Sequence, residues 1–410
     1  MKMEFKNKKL PNGLVIIGEI NKSAKSGAVG FFVRTGSRDE SPEINGVSHF
    51  LEHMLFKGTE NLNAAQVNTE FDKRGAQFNA STSEEATVYY AAVLPDFVID
   101  IAGLWGHLME PALRDEDFSM EKNVIKQEIA MYKDIPSFDV MDRCRGLYFD
   151  GHPCGNSVLG TVESIEKLSS GQMRDYFINH YAPNHIVVAC TGNVDWARLC
   201  EKIEELCGRR PPRHAERALE LCRGSGKKKR LTGDNFMREH ICLMSAGVPA
   251  KDPRRFACTL LACIIGDSVG SRFFWQLVDK ALAETAVMYF SPMDGTGAFA
   301  SYISCSSENA DRVLDITSRI FDDIYKNGVS RAELDKARNK ILSALVIKNE
   351  VPMGRLLDVG LNWMYLEQYR SVQADIEALN RVTIEEIHSI IQKFNPGDFT
   401  QFSLGPSAPL

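Results

Sequence analysis

The sequence predicts an α+β fold of two homologous domains, each a mainly antiparallel sheet packed with helices. One order of strands and helices occurs twice along the chain, and a segment dense in Pro, Gly, Arg and Lys lies between the two occurrences. With 410 residues, 44% of them hydrophobic and 25% charged, the chain has the length and apolar content for two separate cores. The expected boundaries are 1–208 for a first domain, 209–232 for a linker and 233–410 for a second domain.

In the first half, LVIIGEI and GAVGFFVRTG read as strands, 43–57 and 63–74 as helices, and QFNASTSEEATVYYAAV as a strand pair. A long helix starts near Asp115 and runs toward Tyr132. In the second half, HICLMSAGV stands where GAVGFFVRTG stood and a helical FACTLLACIIG follows. A strand pair in AVMYFSPMDGTGAFASYISC and a long helix near Ser330 complete the repeat. The stretch Gly208 to Thr232 has only the short ALEL run to pack, so KKKR at 227–230 reads as part of a solvated hinge.

A formal charge of −6 gives no electrostatic reason to expect nucleic acid or an anionic membrane as partner. No stretch of about 18 apolar residues occurs, and the amino terminus lacks an apolar run before a small-residue cleavage site. The ten cysteines form no C-x-x-C pair, in a chain too large to need stapling. Reduced thiols in a cytoplasm are the expectation.

The segment HFLEHMLFKGT, 49–59, sets His49, Glu52 and His53 among Phe50, Leu51, Met54 and Leu55. Polar groups buried without partners cost several kcal/mol, so these three need partners or a charge among them. On a helix, positions i, i+3 and i+4 share one face, so the three project together while the apolar residues pack away. Two imidazoles one turn apart can share an ion, and a catalytic zinc takes three protein ligands with one position left open. Glu121 and Glu128 share a face of the long helix two turns apart, with Val124, Ile125 and Ile129 on its apolar side. Glu128 is the candidate third ligand, Glu121 a carboxylate that orients a ligand or polarises water, and Glu52 the general base. A plain helix, with its histidines bonded to carbonyls and Glu52 paired with Lys57 or Arg34, is the competing reading.

Laying the two halves on each other weighs against that plain helix. Matched on Gly58 and Gly266, the second half places Ala257, Leu260 and Leu261 where His49, Glu52 and His53 stand. Matched on Asn123 and Asn339, it places Ala337 and Ala344 opposite Glu121 and Glu128. Five polar positions thus become apolar together, which a shared role in one site explains.

H-x-x-E-H is the inverted form of the H-E-x-x-H zinc motif. Together with LPNGLVII, VGFFVRTGSRDESPEINGVSHFLEHMLFKGT, GAQFNASTSEEATVYY, EKNVIKQEIAMYKD and HYAPNHIVVACTGNVD, it makes the chain resemble the inverted-zincin family of mitochondrial processing peptidase, pitrilysin and insulin-degrading enzyme. It is most similar to bacterial members of about this length, closely in the first half and more loosely in the second.

The resemblance implies a zinc endopeptidase with one zinc per chain, held by His49, His53 and Glu128, with Glu52 as base and Glu121 assisting. It implies two homologous domains enclosing a chamber, a peptide substrate added as a strand at Phe78, Asn79, Ala80, Ser81 and Thr82, and a homodimer or a heterodimer with a related subunit. Active members carry a substrate-contacting arginine and tyrosine in the second half. Arg272 matches the arginine, but the tyrosine position falls on Thr285, with Tyr289 four residues on. A half-enzyme that needs a partner subunit and a non-catalytic assembly subunit are the alternatives to a self-sufficient peptidase.

Overall fold

The computed structural model describes residues 3–213, 217, 219–233 and 236–406. The chain runs β1 (Glu4–Lys9), β2 (Val15–Ile20), β3 (Gly27–Val33), α1 (Val47–Leu55), α2 (Ala64–Asp72), β4 (Gln77–Thr82), β5 (Thr87–Val93), α3 (Val98–Leu108), α4 (Asp115–Lys133), α5 (Pro136–Tyr148), α6 (Val162–Lys167), α7 (Ser170–His180), β6 (Ile186–Gly192) and α8 (Trp196–Cys207). It continues through β7 (Lys228–Thr232), β8 (Glu239–Ala246), α9 (Arg255–Gly266), β9 (Thr285–Pro292), β10 (Gly297–Cys305), α10 (Ala310–Asn327), α11 (Arg331–Asn349), α12 (Pro352–Leu366), α13 (Val372–Arg381), α14 (Ile384–Lys393) and β11 (Thr400–Gly405). The fold is the mixed sheet-and-helix architecture expected.

The duplication appears in the strand order. The first sheet runs β1-β2-β6-β3-β5-β4 and the second β7-β11-β8-β10-β9. Apart from the extra β1, each strand has a counterpart, including one parallel pair in each sheet, β2 with β6 and β7 with β11. All other pairings are antiparallel. β4 and β9 therefore occupy the same edge of their sheets.

Two compact units result, each discontinuous in sequence. The first comprises Met1–Ile129, Asn156–Arg217 and Val346–Arg370; the second comprises Ala130–Gly155, Ala218–Leu345 and Ser371–Leu410. The sequence expectation cut the chain once, at 209–232, whereas here each unit takes a helix from the other half. α5 packs on β8 and β11 of the second unit, and α12 packs on β3 and β6 of the first. Amphipathic periodicity shows which face of a helix is buried but not against which sheet. The expected linker also ends in structure, because Lys228–Thr232 forms β7. That strand is exposed along its whole length, so it offers no alternation of apolar and polar residues to read. Residues 214–216 and 218 of the expected linker lie outside the described residues.

In the first unit, β3 is buried at every position because helices cover both faces of the sheet. α12 closes one face, setting Leu356, Val359 and Met364 against Ile17, Phe32 and Val88. Gly360 makes this approach feasible, since a Cβ there would stand 2.2 Å from the Phe32 ring. The other face carries α1 and α3, with Trp105 fully buried 5.8 Å from Phe56 and 4.8 Å from Phe71. α1 packs its apolar face on this layer and turns its remaining face away from it.

Candidate metal centre

α1 has no side chain at its first cap position, where Gly46 takes a left-handed φ of 94°. Glu40 does the capping instead. One of its oxygens accepts from the backbone N–H of Gly46 at 2.7 Å and from Asn45 Nδ2 at 2.8 Å, and the other accepts from the Ser48 N–H at 2.7 Å. Burial pushes the Glu40 carboxyl up to about 7, against the opposing pull of these donors.

From this anchored start, Phe50, Leu51, Met54 and Leu55 of α1 are wholly buried, and His49, Glu52 and His53 project from the opposite side. The two imidazole rings lie 4.8 Å apart. α4 supplies the facing carboxylates from a helix buried at Phe118, Glu121, Ile125 and Ile129. Glu128 Oε1 is 3.8 Å from His49 Nε2, and its Oε2 is 3.5 Å from His53 Nε2. Glu121 Oε1 lies 2.9 Å from His53 Nδ1, and its other oxygen pairs with Lys57.

The protonation pattern follows from these contacts. Burial, aided by the neighbouring His53, holds the His49 pKa down at about 3, so this imidazole is neutral with a lone pair available. Burial also works against charge on His53, but the Glu121 bond and the Glu128 and Glu52 carboxylates together raise its pKa. Burial raises Glu52, with the Thr82 bond partly offsetting it. Burial acts the same way on Glu121, yet its bonds to His53 and Lys57 hold it below the usual carboxylate range.

His49, His53 and Glu128 are the one group of metal-ligating side chains among the described residues, each offering a ligand atom within 4.8 Å of the others. Two features fit zinc. The gaps of 3.5 and 3.8 Å between histidine nitrogens and the Glu128 oxygens exceed a hydrogen bond. They approach the ~3.4 Å between ligands around a tetrahedral ion with bonds of about 2.0–2.2 Å. The set of two imidazoles and one carboxylate is that of a catalytic rather than a closed structural site.

Glu52 stands beside this cluster and accepts from Thr82 Oγ1 at 2.5 Å. It pairs with neither Lys57 nor Arg34, and Lys57 is taken up by Glu121. Phe78, Asn79, Ala80, Ser81 and Thr82 all lie on β4, the edge strand next to α1. There Asn79 Oδ1 accepts from the Ala80 N–H at 2.9 Å, so that donor faces away from β5.

Arg272 belongs to the second unit. It donates to Glu333 at 2.7 Å, to Asp323 at 2.6 Å and to the Gly328 carbonyl at 3.1 Å, and so braces the join between α10 and α11. Thr285 opens β9, and Tyr289 is 55% exposed on the same strand, beside a cavity of about 910 Å³. From sequence Lys57 entered only as a possible partner of Glu52, and Glu40 was not singled out. A lysine eight residues after His49 falls on the next turn of the site's own chain segment, and that spacing was the available signal for Lys57. The capping role of Glu40 depends on a loop fold that no periodicity encodes.

Residues 15–162 match the family model described as Insulinase (Peptidase family M16), and residues 167–341 match the one described as Peptidase M16 inactive domain. The chain is 28% identical over 402 residues to a Bacillus subtilis (strain 168) protein named Uncharacterized zinc protease YmxG, covering 97% of each chain. Among solved structures it is similar to a protease from Helicobacter pylori, with a TM-score of 0.91 at 18% identity over 99% of this chain and 100% of that one. It is also similar to a putative M16-like peptidase from Alicyclobacillus acidocaldarius, with a TM-score of 0.86 at 20% identity over 99% of both. With both halves matched by models of one family and the fold shared along its whole length, the chain belongs to peptidase family M16.

Proposed function

We propose that the chain is a zinc-dependent endopeptidase that hydrolyses peptides or unfolded segments. The observation that carries this reading is the convergence of His49, His53 and Glu128 on one point with Glu52 beside it. Zinc bound there supplies Lewis acidity, which polarises a carbonyl and acidifies water. The residues of the chain do the rest. Glu52 takes the proton of the attacking water and returns it to the leaving amine. Glu121 keeps a proton on His53 Nδ1 and so leaves Nε2 for the ion. Among the described residues no strand pairs with the outer side of β4, so 78–82 offers the substrate backbone an edge on the strand that bonds Glu52. An extended segment pairs with such an edge through its backbone, so binding needs no dedicated side-chain pocket.

A second reading, a half-enzyme that works beside a second copy or a related subunit, draws support from the second unit. Thr285 stands where the resemblance expects a tyrosine, and Arg272 is engaged by Glu333 and Asp323. A cytoplasmic location agrees with both readings. No helix among the described residues is long and apolar enough to cross a membrane.

The test is cleavage of a quenched library of unstructured peptides by the zinc-loaded protein alone, beside Glu52→Gln, which keeps the ligands and loses the base. Chelator-sensitive cleavage that disappears in the variant supports a self-sufficient endopeptidase. A protein that binds one zinc and cleaves nothing rules that out and leaves the half-enzyme and the assembly subunit.

A further inference from the structure

The edge strand that would receive the substrate also holds the general base. Along β4, Gln77, Asn79 and Ser81 are exposed, while Phe78, Ala80 and Thr82 are partly buried. Pleating turns the second set to one face of the sheet. On that face the Phe78 ring stacks 4.0 Å from Phe71, and Thr82 Oγ1 donates to Glu52 Oε2 at 2.5 Å. Among the described residues no other side chain donates to Glu52. A glutamate on a long flexible side chain, next to the repelling carboxylate of Glu128, is thus fixed by one hydroxyl. The side chain of Thr82 is turned toward α1 and is therefore not a contact for substrate side chains, although its backbone ends the edge strand.

We infer that Thr82 is a positioning residue: its hydroxyl fixes the Glu52 carboxylate, so the strand that aligns substrate also aligns the group that moves the proton. The inference rests on the peptidase reading above. Strand and base are thereby set by one element, and any shift of β4 displaces both together. A base held within about half an ångström of its working place transfers protons efficiently, whereas one free to rotate does not.

Three variants of the full chain test this. Thr82→Val keeps the shape and strand preference and removes the hydroxyl, Thr82→Ala removes both hydroxyl and methyl, and Thr82→Ser keeps the hydroxyl alone. With the fastest-cleaved member of the quenched peptide library, Val and Ala lower kcat ~10–100-fold, as expected for a lost hydrogen bond to a charged group, with KM within about twofold. Ser stays within about threefold of the parent, and all three bind the same amount of zinc. Equal losses in Val and Ser, or a change in KM alone, overturn the inference. Crystal structures of the parent and of Thr82→Val give a readout that needs no activity. Glu52 leaves its place in the variant if the inference holds, and an unmoved Glu52 overturns it. Absence of cleavage by the parent counts against the peptidase reading, while the structures still decide the role of Thr82.

Discussion

Glu121 Oε1 lies 2.9 Å from His53 Nδ1, and the second oxygen of the same carboxylate pairs with Lys57. This chain of three residues fixes the tautomer of His53 and aims Nε2 at Glu128, 3.5 Å away. Partners behind a metal ligand typically account for about 10–100-fold in metal affinity. Glu121→Gln is accordingly expected to weaken zinc binding by ~10–100-fold, measured by competition with a chelating dye. Lys57→Met acts in the same direction by a smaller factor, because Glu121 keeps its bond to His53. Unchanged affinity in Glu121→Gln would remove Glu121 from the metal centre.

Zinc content separates ligands from neighbours. His49→Ala, His53→Ala and Glu128→Ala are each expected to lose stoichiometric zinc, whereas Glu52→Gln keeps it. Ligand that binds only the folded state at a hundred times its Kd stabilises by ~2.7 kcal/mol. A rise in the thermal midpoint on adding zinc should therefore appear in the parent and in Glu52→Gln, and be absent from the three ligand variants. A midpoint that rises equally in all of them would place the ion elsewhere.

The candidate cluster was legible in sequence because its signal is local: His49, Glu52 and His53 recur at helical spacing, as do Glu121 and Glu128, and the second half replaces all five by apolar residues. Ala257, Leu260 and Leu261 are indeed buried core residues of α9. The supporting contacts were not readable, because each joins segments far apart in the chain. Thr82 meets Glu52 only once β4 lies along α1, and Glu40 caps α1 only once its loop closes. The exchange of α5 and α12 was hidden for a different reason. The periodicity of a helix does not say which sheet it covers, and either sheet could accept them.

Glu40 gives the fold a pH dependence with a definite sign. Its folded pKa of about 7 lies above the ordinary 4.5, so between these values the folded state binds more protons than the unfolded. Stability from this group is then fully present below pH 4.5 and lost as pH rises to 7, by up to ~3 kcal/mol. Comparing metal-free parent with metal-free Glu40→Gln cancels the other titrating groups. The parent should lose ground against the variant as pH rises from 4.5 to 7. Parallel stability curves across that window would show that Glu40 does not titrate there.

The closing helix of the first sheet is tied by a buried charge pair. Arg355 of α12 donates to Glu19 of β2 at 2.7 Å, each side chain is 3% exposed, and Tyr369 also donates to Glu19 at 2.6 Å. Taking both charges out of water costs about as much as their attraction returns, so the pair adds little net stability. Removing one partner is different, because the other charge stays buried without its counterion. Arg355→Met is expected to destabilise the protein by ~3–5 kcal/mol, and Glu19→Leu similarly, while the double variant recovers most of that loss. Chemical denaturation of the four proteins measures the cycle. Single variants no less stable than the parent would mean that Val359, Leu356 and Met364 hold α12 on the sheet by packing alone. A double variant as unstable as the singles would mean that the pair itself, and not relief of a stranded charge, fastens the helix to β2.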